Sequence, residues 1–369
     1  MTNKSKILSY VFLLLLLGVG LLVGASNSVS WIGFFTTLGL FLFFFKNKLS
    51  DIVKPSTFNL FLLSLVIMFI YTFGFDYRNK YGVDFVLNLA TGGLLWLFFS
   101  NYPNKLQNVV KNIIVLFTLV LPPLYFLTLK LPFFSFLHKA PIFSFSLMGH
   151  SNVGDFMILP ILICIFELLG HTKRKLFYEF LLIWSLLILY LSFSRSAAVG
   201  LIIGLYFLLN TQITPKIRQL KFVLISAVLL IFMIFNSHKS LFLNRQYYIQ
   251  GVWGLFKYPL GLGIGRFGVI SADPQSHLFG LAGYSGVAFN ILLEVLTGVG
   301  VFGVVFVAWF VSVIHKVLTV KDVNKSLFRA MFLGLAANFF FNITYFDPGV
   351  LWLWFMTLGL LSPKTDASL

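Results

Sequence analysis

One arginine lies inside an apolar stretch of the chain, where a charged side chain is costly. The stretch is LYLSFSRSAAVGLIIGL, residues 189–205, and the arginine is Arg195. A guanidinium is planar and presents a fork of donors that matches the oxygens of a phosphate group, so this position suits contact with phosphate. The structural alternative is an arginine that snorkels or caps a helix.

Two carboxylates also fall in or beside apolar segments. A carboxylate inside a membrane is costly, so Glu294 is a functional candidate that could pair with an arginine. Asp155 is predicted to lie in the first turn of a helix, where a negative charge stabilises the helix start.

The elements that must position these side chains are apolar helices. The chain has 369 residues, of which 59% are hydrophobic and only 10% are charged, against about a quarter in a soluble domain. Lipid must therefore be the solvent for most of its length. The sequence predicts an all-α integral membrane protein, a single polytopic domain over 1–369. About twelve spans are expected near 7–25, 29–45, 57–75, 82–99, 109–129, 153–170, 177–193, 196–210, 219–235, 287–315, 326–343 and 349–362.

The distribution of basic residues orients these spans. Alternate connections carry 18 lysines and arginines on one side and 9 on the other, and the richer side is expected to be cytoplasmic. Both termini are then cytoplasmic, and the segment 7–25 is interpreted as a retained first helix. The net charge of +16 follows from this topology, so no nucleic-acid partner is expected. Four of the nine outer cations are arginines, against three of the 18 inner ones.

The longest connection, residues 236–286, is predicted to face outward between the ninth and tenth spans. It is rich in aromatic residues, which argues against disorder. Tyr247, Tyr248, Trp253 and Tyr258 suit a segment on the membrane surface, so we expect short amphipathic helices there.

Three glycines of this loop match the dinucleotide-binding fingerprint literally. They are Gly263, Gly265 and Gly268. That motif works only between a strand and a helix, and this context is missing, so no nucleotide site is predicted. The glycines are expected to allow a tight turn or a close backbone approach.

Four segments together resemble a known family. They are MGHSNVGDFMILPILI at 148–163, SFSRSAAVGLIIGL at 192–205, NRQYYIQGVWGLFKYPLGLGIGRFG at 244–268 and FNILLEVLTGVGVFG at 289–303. In this order they resemble the O-antigen ligase and polymerase family of bacterial envelope enzymes. Members of that family are similar in having about twelve spans and a large outer loop between the ninth and tenth.

The resemblance implies a glycosyltransferase at the outer face of the bacterial cytoplasmic membrane, with the 236–286 loop in its active site. The donor would be an oligosaccharide on undecaprenyl diphosphate, and neither a metal nor another cofactor is expected. A polymerase would move a growing chain onto the next lipid-linked repeat unit of a surface polysaccharide. A ligase would move the glycan to another acceptor such as lipid A core or protein. A flippase or transporter of lipid-linked glycan is the non-enzymatic alternative, and a chain-length regulator is a candidate partner beside membrane lipid.

The resemblance also assigns roles to polar residues. Because negative charge builds on the leaving diphosphate, fixed cations are needed near it. Arg195 matches the family's motif arginine and is the first candidate for that role, as a catalytic residue. The candidates for binding substrate are Arg245, Arg266, Arg78, Asn152 and Asn290.

The catalytic base is harder to assign. The ligase pattern has a histidine before Asn290, but here that position is Phe289, which cannot take a proton. This departure favours the polymerase branch. The substitutes are His277, since histidine side chains in general can exchange a proton near neutral pH, and Glu294, which could instead bind glycan hydroxyls.

Overall fold

The chain folds into helices throughout the part that the structure describes. The computed structural model describes residues 3–23, 27–45, 52, 54–75, 79–130, 150–170, 173–192, 194–212, 245–276, 285–320, 322–342 and 344–362. The α-helices are α1 (Asn3–Val23), α2 (Asn27–Phe45), α3 (Phe58–Phe69), α4 (Lys80–Asn101), α5 (Pro103–Lys130), α6 (His150–Leu169), α7 (Lys175–Leu191), α8 (Arg195–Gln212), α9 (Arg245–Lys257), α10 (Phe267–Ala272), α11 (Ile291–Val299), α12 (Val304–Thr319), α13 (Ser326–Asn338) and α14 (Pro348–Leu361). A π-helical turn, Ile70–Phe75, continues α3, and short 3₁₀ turns lie at Pro274–Ser276, Gly300–Gly303, Val323–Lys325 and Thr344–Phe346.

The apolar helices indicate a membrane protein. Within the described ranges, four helical segments are long and apolar enough to cross a membrane: Ser28–Phe45, Lys80–Asn101, Leu106–Pro123 and Ile291–Thr319. Shorter apolar helices cover Tyr10–Leu21, Phe58–Gly74, Arg195–Asn210 and Pro348–Leu361. The predicted spans near 153–170, 177–193 and 326–343 are helical as α6, α7 and α13, whereas 219–235 lies outside the described residues.

The centre of the bundle is α14, which is buried on every side along its whole length. A helix that is apolar all round needs neighbours or lipid on all faces, and α14 packs against α4, α13 and α1. Its Trp354 stacks on Phe332 of α13 with ring centroids 4.8 Å apart. Such aromatic packing stabilises a fixed arrangement of the helices that surround it.

Helices α8 and α13 approach each other closely through two glycines. A methyl group added at Gly200 would lie 2.6 Å from the carbonyl oxygen of Gly334, and one added at Gly334 would lie 2.9 Å from that of Gly200. Small residues at such a crossing allow two helix backbones to pack directly. The helix that begins with Arg195 is therefore held firmly against α13.

Helix ends meet at two opposite ends of the bundle. At the first, which we call the loop end, the starts of α4, α6, α8 and α11 lie beside the end of α13 and the loop segment 258–266. At the second, the lysine end, the ends of α4, α12 and α14 lie beside the start of α13. The residues singled out for chemistry belong to the loop end wherever the structure describes them.

Candidate functional site

The start of α8 is fixed by a buried carboxylate on α6. Asp155 accepts hydrogen bonds from the hydroxyls of Ser194, at 2.6 Å, and Ser196, at 3.2 Å, through one oxygen. Its other oxygen accepts from the side-chain amide of Asn342, just beyond α13. We call these four residues the Asp155 cluster, and all four are buried.

Arg195 lies between the two serines of this cluster. Ser194 also caps α8, since its hydroxyl accepts from the backbone N–H of Ala197 at 3.2 Å. The Arg195 side chain is half-buried at the first residue of the helix. Because the residues on both sides are bonded to Asp155, the backbone of Arg195 has a defined position at the loop end.

The predicted role of Asp155 was wrong. Helix α6 begins at His150 and has no acidic residue in its first turn, so Asp155 does not stabilise the start of its own helix. It joins α6 to α8 and to the segment after α13 instead. The neighbouring residue packs closely on the segment before α8, since a methyl group added at Gly154 would lie 2.1 Å from the Ser192 hydroxyl oxygen.

A second buried carboxylate anchors the loop that contains α9 and α10. Glu294, in the first turn of α11, is only 1% exposed. One of its oxygens accepts from the backbone N–H of Gly265 and the other from that of Ala288, each at 2.9 Å. Gly265 lies before residues 277–284 and Ala288 lies after them. Glu294 therefore bonds α11 to the loop on both sides of that segment.

The apolar segment Ile291–Thr319 is interrupted at Gly300, and the loop fills the break. Gly300 has φ +62°, which only glycine adopts easily in combination with its ψ of −142°. The carbonyls of Thr297 and Gly298 accept from Leu262 and Gly263, at 3.0 and 2.8 Å. The backbone groups left unpaired by the end of α11 are therefore satisfied by the loop.

The glycines of the loop provide the tight turn and close approach that were predicted. Gly263 and Gly265 both have positive φ, +97° and +76°. A methyl group on Gly265 would lie 2.7 Å from Cβ of Tyr81 at the start of α4. The amide of Asn79 donates to the carbonyl of Ile264 at 2.6 Å, which also joins this turn to α4.

The segment after α13, residues 339–342, connects the Asp155 cluster to α11, the helix that carries Glu294. Asn342 belongs to the Asp155 cluster, while the carbonyl of Phe339 accepts from the backbone N–H of Ile291 at 3.1 Å. The carbonyl of Phe340 accepts from the Tyr248 hydroxyl at 2.8 Å. Residues 339–342 thus hold α8, α9 and α11 together, a role that the sequence analysis missed.

Asn290, a candidate for binding substrate, has a structural use in the fold. Its side-chain oxygen accepts from the backbone N–H groups of Leu292 and Leu293, at 2.9 and 3.1 Å, and so caps α11. Phe289 beside it adopts a left-handed backbone conformation, with φ +54°. The Phe289 ring stacks on Tyr247 of α9, with centroids 5.3 Å apart.

The remaining basic candidates are described to different extents. Arg266 is exposed at the start of α10, next to the glycine turn. Arg245 is the first residue of α9 and Asn152 lies near the start of α6, but their side chains are outside the described part of the structure. Arg78 and His277 lie wholly outside the described residues.

An ion pair joins the C-terminal end of α9 to the residue that follows α10. Lys257 bonds to Asp273, which raises the pKa of the lysine, and its ammonium also lies 4.7 Å from the centroid of the Trp253 ring. Apolar side chains of α9 and its surroundings point outward, with Phe256 83% exposed and Leu260 64% exposed. This arrangement of exposed apolar, aromatic and basic side chains suits contact with a membrane surface.

Comparisons with protein families, with curated proteins and with solved structures find no match to this chain. Among the described residues, no group of three or more His, Cys, Asp and Glu side chains is placed to hold a metal ion. The chemistry of the site must therefore be inferred from its own side chains.

Proposed function

We propose that this chain is a membrane glycosyltransferase that takes a glycan from undecaprenyl diphosphate at the outer face of the bacterial cytoplasmic membrane. The observation that carries the proposal is the placement of Arg195: the helix that it begins is fixed by the Asp155 cluster at the same end of the bundle as the anchored loop and Arg266. A cation held in position costs little reorganisation when charge develops beside it.

The proposed topology has about twelve spans, with the loop end outside and both termini in the cytoplasm. The excess of lysine and arginine in the opposite connections supports this orientation. The ninth span, near 219–235, and the loop 236–286 complete the arrangement. In it, α9 and α10 lie at the level of the lipid headgroups, which suits their exposed Phe256 and Leu260.

The reaction is a displacement at the anomeric carbon of the donor glycan. An acceptor hydroxyl oxygen forms the new bond to that carbon, the bond from the carbon to the diphosphate oxygen breaks, and the electron pair leaves with the phosphate. Arg195 and Arg266 stabilise the charge on the departing diphosphate. The hydroxyl proton passes to a base.

His277 is the better of the two candidate bases. Both oxygens of Glu294 already accept backbone N–H groups, which supports an anchoring role for that carboxylate. His277 belongs to the loop segment that Glu294 ties down on both sides, and imidazole accepts a proton near neutral pH. Glu294 then acts on catalysis through the position of the loop.

Polymerisation of surface polysaccharide repeat units is the favoured reaction. The position where a ligase is expected to have histidine is Phe289, and its ring is packed against Tyr247. Transfer of a whole glycan to lipid A core or protein is the alternative within the same chemistry. A flippase is less well supported. Transporters use the free backbone groups of broken helices to bind their substrates and ions, whereas here the carbonyls before Gly300 accept hydrogen bonds from the loop.

The product distinguishes these reactions. Purified protein in lipid vesicles would be given a lipid-linked repeat unit alone, and a ladder of lengths on the carrier is the expected result. Product only after addition of a carrier-free acceptor would identify a ligase, and movement of the donor between leaflets without product would identify a flippase.

The role of Arg195 is tested by a pair of substitutions. Arg195→Ala is expected to reduce turnover by at least about a hundredfold, the scale for loss of one donor to a developing negative charge. Arg195→Lys keeps the charge without the fork and should retain part of the activity. Arg174→Ala, on an exposed arginine at the other end of the bundle, is the control. Full activity of a correctly folded Arg195→Ala protein would refute the proposed contact.

A further inference from the structure

A cleft of about 680 Å³ opens at the lysine end, opposite to the proposed active site. It lies between the segment before α3, the ends of α4, α12 and α14, and the connection into α13. Nothing in the proposed reaction uses this cleft.

The walls of the cleft differ in polarity. One wall is apolar and consists of side chains from three helices, among them Trp96, Val313 and Leu358, which are buried. Lys54 and Lys316 also line the cleft, and both are exposed to solvent. A cavity with an apolar wall and basic side chains fits a molecule that has an anionic head and an apolar tail.

The charges in the cleft favour an anion. Among the residues that the structure describes, Lys54, Lys316 and Lys325 line it together with one carboxylate, Asp322. Lys325 is 7% exposed and donates to the carbonyl of Leu361 at 3.3 Å, so its charge is partly offset by the end of α14. Lys54 and Lys316 are thus the main cations that the described lining of the cleft offers to a ligand, and Lys316 also donates to the hydroxyl of Ser56.

A second cavity nearby is less suited to such a ligand. It measures about 380 Å³ and shares Asp322 and Lys325 with the first. Its own additional lysine, Lys111, forms an ion pair with Glu167 at 2.8 Å. The charge of that lysine is therefore already balanced, whereas none of the described ion pairs involves Lys54 or Lys316.

We infer that the larger cleft binds the phosphate headgroup of an anionic membrane phospholipid, with the first part of the acyl chains against its apolar wall. In the proposed orientation this lipid belongs to the inner leaflet. A soluble phosphate compound would offer the same phosphate group to the lysines. The apolar wall of the cleft favours a lipid over such a compound.

The test is native mass spectrometry of the full chain in detergent, titrated with phosphatidylglycerol. The double variant Lys54→Ala/Lys316→Ala should bind this lipid roughly 25-fold more weakly, since each lysine near an anionic headgroup contributes roughly fivefold. The matched control is Lys173→Ala/Lys175→Ala, which removes two exposed lysines at the start of α7 that do not line the cleft. It should bind like the parent protein.

Two further titrations distinguish the source of the phosphate. Inorganic phosphate and glycerophosphoglycerol, the headgroup without its chains, lack the apolar surface that the lipid buries, so they should compete only at concentrations roughly a hundredfold higher or more. Competition by either compound at the same concentration as the lipid would overturn the lipid assignment. Unchanged lipid binding by the folded double variant, or an equal loss in the control, would overturn the site itself.

Discussion

The Asp155 cluster allows a quantitative prediction about stability. Asp155→Ala removes the acceptor for three side-chain donors, those of Ser194, Ser196 and Asn342. A hydrogen bond to a charged group contributes about 1.5–3 kcal/mol, and a buried donor left without a partner costs about 1–3 kcal/mol. Because the three bonds share one carboxylate and neighbours can relax, we expect a loss of about 4 kcal/mol in the free energy of unfolding.

Two related variants separate the loss of the carboxylate from a general loss of packing. Asp155→Asn keeps an oxygen for the serines but turns an amide nitrogen toward the amide of Asn342, and should cost about 2 kcal/mol. Adding Asn342→Asp to this variant places a carboxylate oxygen opposite the new amide nitrogen at position 155, so a donor again faces an acceptor. The double exchange should therefore return to within about 1 kcal/mol of the parent protein.

The assay is equilibrium unfolding in mixed micelles with increasing sodium dodecyl sulfate, followed by tryptophan fluorescence. The free energies of the single and double variants form a thermodynamic cycle whose coupling term reports the contact between positions 155 and 342. If Asp155→Ala unfolds within about 1 kcal/mol of the parent, or the exchange is no better than Asp155→Asn alone, the cluster does not stabilise the fold as described.

Two further predictions concern the anchored loop. Gly300→Ala should cost more than about 2 kcal/mol, because φ is +62° and the new methyl group would lie 2.2 Å from the carbonyl oxygen of Pro259. Gly39→Ala is the matched control, has open space around it in α2 and should be neutral or stabilising by up to about 1 kcal/mol. Glu294→Gln places an amide nitrogen against a backbone N–H donor and should cost about 2–3 kcal/mol. Its loop should also be cleaved faster by protease, and an unchanged cleavage rate would contradict the anchoring role.

The sequence predicts the helical membrane character well, and also the local conformation of the loop over residues 245–276. Apolar runs and basic connections are properties of composition, and they identify the helices without any knowledge of their neighbours. The short helices α9 and α10 and the turn at Gly263 and Gly265 also follow from local patterns. The same is true of Asn290, since an asparagine directly before an apolar helix is the usual signal of an N-cap.

The partners of the two buried carboxylates could not be predicted in the same way. Glu294 is recognisable as a costly charge in an apolar segment, but its partners are backbone N–H groups, which every residue except proline carries. Asp155 bonds to residues 39, 41 and 187 positions away in the chain. A single sequence contains no signal for pairings over such distances, because they depend on how α6, α8 and α13 pack.

The arrangement at the loop end links the position of Arg195 to that of the loop. Asn342 holds Asp155, and through it the start of α8, while Phe339 and Phe340 accept from α11 and α9. A shift of residues 339–342 must therefore move both the helix that begins with Arg195 and the helices that carry the loop. In the proposed site, where a cation and a base must both reach one anomeric carbon, this common attachment fixes the start of α8 relative to α9 and α11. The segment after α13 is thus as important to the proposed chemistry as the residues that would touch the substrate.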